Sequence, residues 1–239
     1  MTSIRSVHPF DQYVQRSDRS LRVAEAALLF ARDHCPTLDV GRYLEQLDQL
    51  ALRVDRWDAQ TSKERVYALR TVLASEEGFR GNVLEYYDPR NSLLNEVLDR
   101  RTGIPITLSA IWLDICEQLR WPFVGVGLPG HYIIKHNSPG QEILIDPFSG
   151  GRSLSRNECA RFAASLAGET LDLSDEDFQP CPKKIMLTRM LNNLLMIQTR
   201  GRQWAAAGRT LERLAALNPD SNEISRQLAF VQGRLAEQN

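Results

Sequence analysis

The chain lacks most of the features that mark a specialised class. Its four cysteines, Cys35, Cys116, Cys159 and Cys181, are scattered, with no CxxC spacing. That argues against a zinc knuckle or a redox pair, and reduced thiols are expected rather than disulfides. The four histidines, His8, His34, His131 and His136, do not cluster with carboxylates at metal-ligand spacing, so no metal or other cofactor is expected. Charge of one sign is missing too. The 29 basic and 30 acidic residues leave a formal net charge of −1, which invites neither nucleic acid nor an anionic membrane. No apolar run reaches the roughly eighteen residues of a membrane-spanning helix. The opening MTSIRSVHPFDQYVQRSD is polar and carries no secretory apolar region, so a cytoplasmic protein is expected.

What is present is ordinary globular material: 43% hydrophobic and 25% charged residues, in a chain long enough for one large core and an appendage. Helical spacing over residues 18–33 places Leu21, Ala24, Leu28 and Ala31 on one face, and Pro36 stops that helix. A second helix is predicted over 40–54, and a third after Thr61-Ser62 through Val66, Leu69, Val72 and Leu73. A loop at 78–82 leads to a short helix or turn at 83–87, which Asp88-Pro89 closes. Ser92 is a suitable N-cap for a helix over 93–100, and Arg100 and Arg101 suit its C-terminal dipole. Asn91, just before it, either caps or points into a cleft. Ser155 is expected to cap a helix over 156–166, and the acidic stretch 172–177 with Pro180-Cys181-Pro182 reads as a linker.

The middle of the chain carries the chemistry. Leu108, Ile111, Trp112, Ile115 and Leu119 predict an amphipathic helix over about 107–120, entered through Gly103 and Pro105. Beyond it, Asn137-Ser138-Pro139-Gly140 is a strong turn signal between two extended runs. If those residues form the loop, His136 faces Gln141, Lys135 faces Glu142, Ile133 faces Leu144 and His131 faces Asp146. Directly opposed residues hold their Cβ atoms about 4.5–5.5 Å apart on one face, close enough for an imidazole and a carboxylate to share a hydrogen bond. Such a pair serves either as structure or as general base and orienter. Pro147 ends the second strand, which leaves the pair at the open end of the hairpin.

A nucleophile completes that apparatus. A thiol is best activated at a helix N-terminus, where unpaired N–H groups lower its pKa. This helix begins Pro105-Ile106-Thr107-Leu108-Ser109, without cysteine. Thr107 and Ser109 are the hydroxyl candidates, though capping is the ordinary task of such residues. Cys116 lies roughly 13 Å along the axis from Thr107, beyond the dipole's help, and reads as a small buried hydrophobe. Two classes therefore stand: a hydrolase or acyl-transfer enzyme using His131 and Asp146 with a non-standard nucleophile, or a non-catalytic interaction protein.

Residues 183–237 are helical by periodicity, with Gly201 and Asn218-Pro219-Asp220 at the turns. They match a tetratricopeptide unit in outline and offer either a docked completion of the core or a groove for a protein or peptide partner.

Several separated motifs carry a family likeness: Asn91-Ser92, Arg101 with Gly103-Ile104-Pro105, Leu128-Pro129-Gly130-His131 and Ile145-Asp146-Pro147-Phe148. Over residues 20–235 the chain resembles the bacterial SirB-type transglutaminase-like family. The resemblance implies an α+β, largely helical fold. A papain/transglutaminase-like core with a small antiparallel sheet would fill residues 1–180, its motifs within 91–152, followed by tetratricopeptide-like hairpins over 183–239. It also implies that the superfamily's catalytic histidine falls on His131 and its aspartate on Asp146. The position of the catalytic cysteine falls at or near Pro105, and proline cannot be a nucleophile.

Overall fold

The computed structural model of the chain describes residues 8–138, 140–167 and 172–238. The first seven residues and Pro139, both used in the sequence reading, lie outside them. Two compact units are present: residues 1–40 with 183–239, and residues 41–182. The first helices of the chain thus group with the last ones.

In the first unit, α1 (Pro9–Tyr13) and α2 (Val23–Ala31) join α8 (Lys183–Arg200), α9 (Trp204–Leu217) and α10 (Asn222–Gln238). Periodic leucines bury one face of each long helix: Leu187, Leu191 and Leu194 of α8 and Leu211 and Leu214 of α9 are at most 1% exposed. Phe10 and Phe30 meet edge to face at 6.0 Å. Arg213 is buried here with Asp33 at 3.0 Å and Asp11 as ion partners, so its charge is compensated rather than stranded.

The second unit holds the sheet. Helix α3 (Val40–Asp55) leads to α4 (Ser62–Leu69), whose Thr61 and Glu64 form a capping box. The chain then continues as π-helix over Arg70–Glu76, where a plain third helix was expected. Strand β1 (Arg80–Gly81) pairs in parallel with β2 (Thr102–Gly103), and α5 (Leu94–Arg100) lies between them. The expected cap at Ser92 does not form. Leu93 is the N-cap and makes no side-chain cap bond, while the buried Ser92 hydroxyl is unpartnered. Arg101 ends α5 in the left-handed region, φ 58°, paired with Glu77 at 2.8 Å.

Helix α6 (Pro105–Gln118) starts two residues earlier than its apolar spacing implied, because proline's fixed φ suits the first helical position. Behind it runs an antiparallel meander in the order β3 (Phe123–Val126), β4 (Ile133–Ser138), β5 (Gln141–Asp146) and β6 (Arg152–Leu154). Helix α7 (Arg156–Ala167) follows, with Ser155 and Glu158 bonded reciprocally at its start. The expected linker instead contributes Phe178, which is 1% exposed and packs with Val126, Leu128, Ile133, Leu144, Leu154 and Cys159. The described fold is α+β, mostly helical, with its two sheets, the β1–β2 pair and the four-stranded meander, both in this unit.

The hairpin register differs from the expected one. Strand β4 runs on to Ser138, and Ser138 pairs with Gln141, His136 with Ile143 and Lys135 with Leu144. Only residues 139 and 140 remain between the strands, rather than 137–140. Lys135 therefore does not face Glu142; its Nζ donates to the Phe178 carbonyl at 2.5 Å, and Glu142 pairs with Arg156.

Candidate functional site

The corrected register moves each pairing by two residues, an even number. Side chains alternate with period 2, so every residue keeps its face and only its opposite number changes. Continued past Ile134 and Ile145, the pairing sets Asp146 beside Ile133, with His131 one diagonal step away. Diagonal neighbours have Cβ atoms about 7–8 Å apart, which an imidazole and a carboxylate can span. They do: His131 Nε2 lies 3.2 Å from Asp146 Oδ1. The expected pair forms by a diagonal route.

Asp146 is 0% exposed and well supplied with donors. The Phe148 N–H donates to Oδ1 at 3.0 Å and the Ser149 hydroxyl donates to Oδ2 at 2.6 Å. Burial on its own pushes this carboxyl up. The nearby His131, then the Ser149 hydroxyl and Phe148 amide, outweigh burial and hold it below the usual carboxylate value. The chain reverses at Asp146 because Pro147 cannot continue the ladder, and Asp146 caps the single 3-10 turn Pro147–Ser149.

The imidazole is enclosed by aromatic rings. Phe162 of α7 stacks on it with centroids 5.5 Å apart and planes 12° apart, and Phe148 meets it edge-on at 6.3 Å. His131 is 7% exposed. It precedes Ile133 and Lys135 on one face of β4, and Ile133 packs with Cys159, so the face that carries it is covered by α7. Sequence reasoning missed Phe162 and Cys159 at this site, whereas the turn 149–152, which reads from sequence as a border of the same cleft, does bring Ser149 onto Asp146. Phe162 and Cys159 sit one turn apart on α7, and no local pattern ties that helix to a histidine thirty residues earlier. Ser149 carried a signal, as a hydroxyl three residues after the aspartate in a turn.

The nucleophile candidates are placed as follows. Thr107 and Ser109 are 0% exposed in the first turns of α6. Ser109 donates to the Tyr132 carbonyl at 3.5 Å, and the Thr107 hydroxyl has no partner. Cys116 is fully buried inside α6, where desolvation first and the neighbouring Asp114 second push its thiol far above the ordinary value. Cys159 is also 0% exposed; burial first, then the Asp146 charge, push it up to about 11. Neither thiol has the electropositive setting that makes a thiolate. Pro105 occupies the first position of α6 and is buried.

Asn91 points elsewhere than into a cleft at His131. It is 0% exposed and ties a loop together: its Nδ2 donates to the Glu85 and Tyr86 carbonyls at 2.7 and 3.2 Å, and its Oδ1 accepts from Asn82 at 3.1 Å. Arg100 reaches Asp88 at 3.3 Å. Among the described residues no group of three or more His, Cys, Asp or Glu side chains is placed to hold a metal ion, and no helix is long and apolar enough to cross a membrane.

Comparison with known proteins bears on the family of the chain. Residues 41–192 match the family model described as the transglutaminase-like superfamily. The UPF0162 protein of Xylella fastidiosa (strain 9a5c) is 34% identical over 227 residues, covering 90% of this chain and 79% of that protein. The UPF0162 protein of Vibrio cholerae serotype O1 is 26% identical over 199 residues, 83% of this chain and 72% of that one. F-box only protein 21 of Homo sapiens is 30% identical over 179 residues, 70% of this chain but 27% of that protein. No solved structure matches.

Proposed function

The chain belongs to the transglutaminase-like superfamily, and from that premise we propose that it is a non-catalytic regulatory or protein-interaction module on an enzyme frame. One observation carries the reading: the helix start that the superfamily uses for its thiol is a buried proline, Pro105, and both buried thiols of this unit have raised pKa values. The near-parallel Phe162 ring, 5.5 Å from the His131 ring, supports it, since the imidazole is left only 7% exposed to an incoming substrate. So does the match to 27% of F-box only protein 21, where the likeness is to part of a longer chain. On this reading His131 and Asp146 are a buried structural pair.

The second reading is a hydrolase or acyl-transfer enzyme with His131 as general base. The 3.2 Å contact to Asp146 favours it. The two part on thiol labelling at neutral pH, comparing wild type with His131→Ala and each Cys→Ser variant. Slow labelling that ignores His131 is expected. Fast labelling of one thiol that disappears in His131→Ala overturns the module reading.

A further inference from the structure

Three of the most exposed large apolar side chains in this unit stand together on one short loop. Val83 is 74% exposed, Leu84 96% and Tyr87 59%. Water-facing apolar groups on a floppy loop would mean little, but this loop is held at both ends and in the middle. Its start is anchored where the Asn82 N–H donates to the Gly103 carbonyl at 3.0 Å. Its centre is clamped by the buried Asn91, and the Glu85 N–H donates to Asn82 Oδ1 at 3.0 Å. Its end is fixed by Asp88, which binds Arg90 at 2.7 Å and Arg100 at 3.3 Å. The residue that is not displayed, Tyr86, packs edge to face on Phe148 at 6.0 Å, and Phe148 meets the His131 ring. The loop is thus a rigid lip of the His131–Asp146 site.

Holding apolar side chains in place before contact removes the ordering cost of binding. Apolar side chains grouped on one surface mark interaction sites, whereas leucines scattered singly do not, and Tyr87 is of the type enriched among interface anchors. Glu85 stands between Leu84 and Tyr86, is exposed, and makes no direct ion pair among the described residues; Arg90, whose charge it feels, is engaged by Asp88. The lip therefore offers apolar contacts around one unpaired negative charge.

We propose that the loop from Asn82 to Asp88 is the docking element of this unit and that its occupant is a polypeptide segment with bulky apolar side chains beside a lysine or arginine. The proposal rests on the module reading, which it supplies with a surface and a partner chemistry. The test uses the full chain on an array of immobilised peptides in three series: Leu- or Phe-bearing with flanking Lys, the same with Glu for Lys, and the same with Ser for the apolar residues. The first series is expected to bind best. Val83→Ser with Leu84→Ser, both in water-facing positions, is expected to weaken that binding by about tenfold or more. Glu85→Lys is expected to reverse the preference between the first two series. Circular dichroism of each variant checks that the fold is kept.

Equal binding to all three series, or wild-type binding by the double serine variant, overturns the proposal. So does self-association in sedimentation that Leu84→Ser abolishes, which assigns the lip to a second copy, or Leu84-dependent binding to anionic phospholipid vesicles. His131-dependent labelling of a thiol would refute the module reading while leaving the array result standing, so the two failures are distinguishable.

Discussion

Asp146→Ala removes the centre of the candidate site, and its cost follows from what the carboxylate touches. The substitution leaves the buried His131 imidazole without its partner at 3.2 Å, and the Phe148 N–H without its acceptor at 3.0 Å. Ser149 is exposed and its hydroxyl can turn to water. Loss of a capping acceptor costs about 1 kcal/mol. Leaving a buried polar group unsatisfied costs about 1–3 kcal/mol, and breaking a buried pair from one side roughly 3–5 kcal/mol. The last two figures describe the same loss and do not add, so the expected destabilisation is at least about 3 kcal/mol. Asp146→Asn, which keeps an acceptor oxygen and the volume, should cost roughly half as much.

Urea unfolding followed by tryptophan fluorescence measures this. Trp57, Trp112 and Trp121 lie in the 41–182 unit, and a Trp204→Phe background removes the tryptophan of the other unit. With a urea slope of roughly 1–3 kcal/mol/M, the midpoint should fall by about 1–3 M at unchanged slope. A loss below about 1 kcal/mol for Asp146→Ala would refute the claim that this pair is a buried structural element.

Further outcomes follow from the same geometry. Because the folded-state pKa of Asp146 is depressed, its stabilisation is complete above the unfolded value of about 3.9 and is lost as pH falls through the folded value. Wild type should thus lose more stability than Asp146→Asn below about pH 4, and parallel midpoint-against-pH curves would contradict this. Gly151→Ala should cost about 2–4 kcal/mol, since φ is +77° and the new Cβ would lie 2.3 Å from Trp112 Cη2. Gly140→Ala, at φ +73° with nothing within 4 Å, should cost only about 1 kcal/mol; equal shifts in melting temperature would sink the packing argument. Towards a thiol-reactive aromatic disulfide under native conditions, the half-buried Cys35 and Cys181 should react first and the buried Cys116 and Cys159 only with unfolding. Peptide mapping of the modified sites reads the order directly.

The His131–Asp146 pair was legible because it depends on parity. Any even slip of the hairpin leaves both side chains on one face, so a misplaced register still brought them together. The register itself was not legible. The turn-forming run 137–140 accommodates either a four-residue or a two-residue loop, and residues 137 and 138 are polar enough to suit strand or turn. Helix α6 was visible in its apolar spacing, and its start at Pro105 follows from proline's preference for the first helical position. Ser92 failed as a cap because capping needs a side chain aimed at free N–H groups, and here the chain turns so that Leu93 precedes the helix. The enclosure of His131 was out of reach: Phe162 arrives from α7 by long-range packing, which leaves no periodic trace. Asn91 reads from sequence as part of the helix entry, with a cleft as the alternative, and only the path of the 82–88 loop decides that it is a clamp.

The central claim is that this frame holds a His131–Asp146 pair but no working nucleophile. Intact-mass measurement of the full chain after exposure to an activated acyl ester at neutral pH, with wild type beside His131→Ala, tests it most directly. The account predicts no acyl adduct that depends on His131. A single adduct on Thr107, Ser109, Cys116 or Cys159 that forms in wild type and is lost in His131→Ala would contradict it.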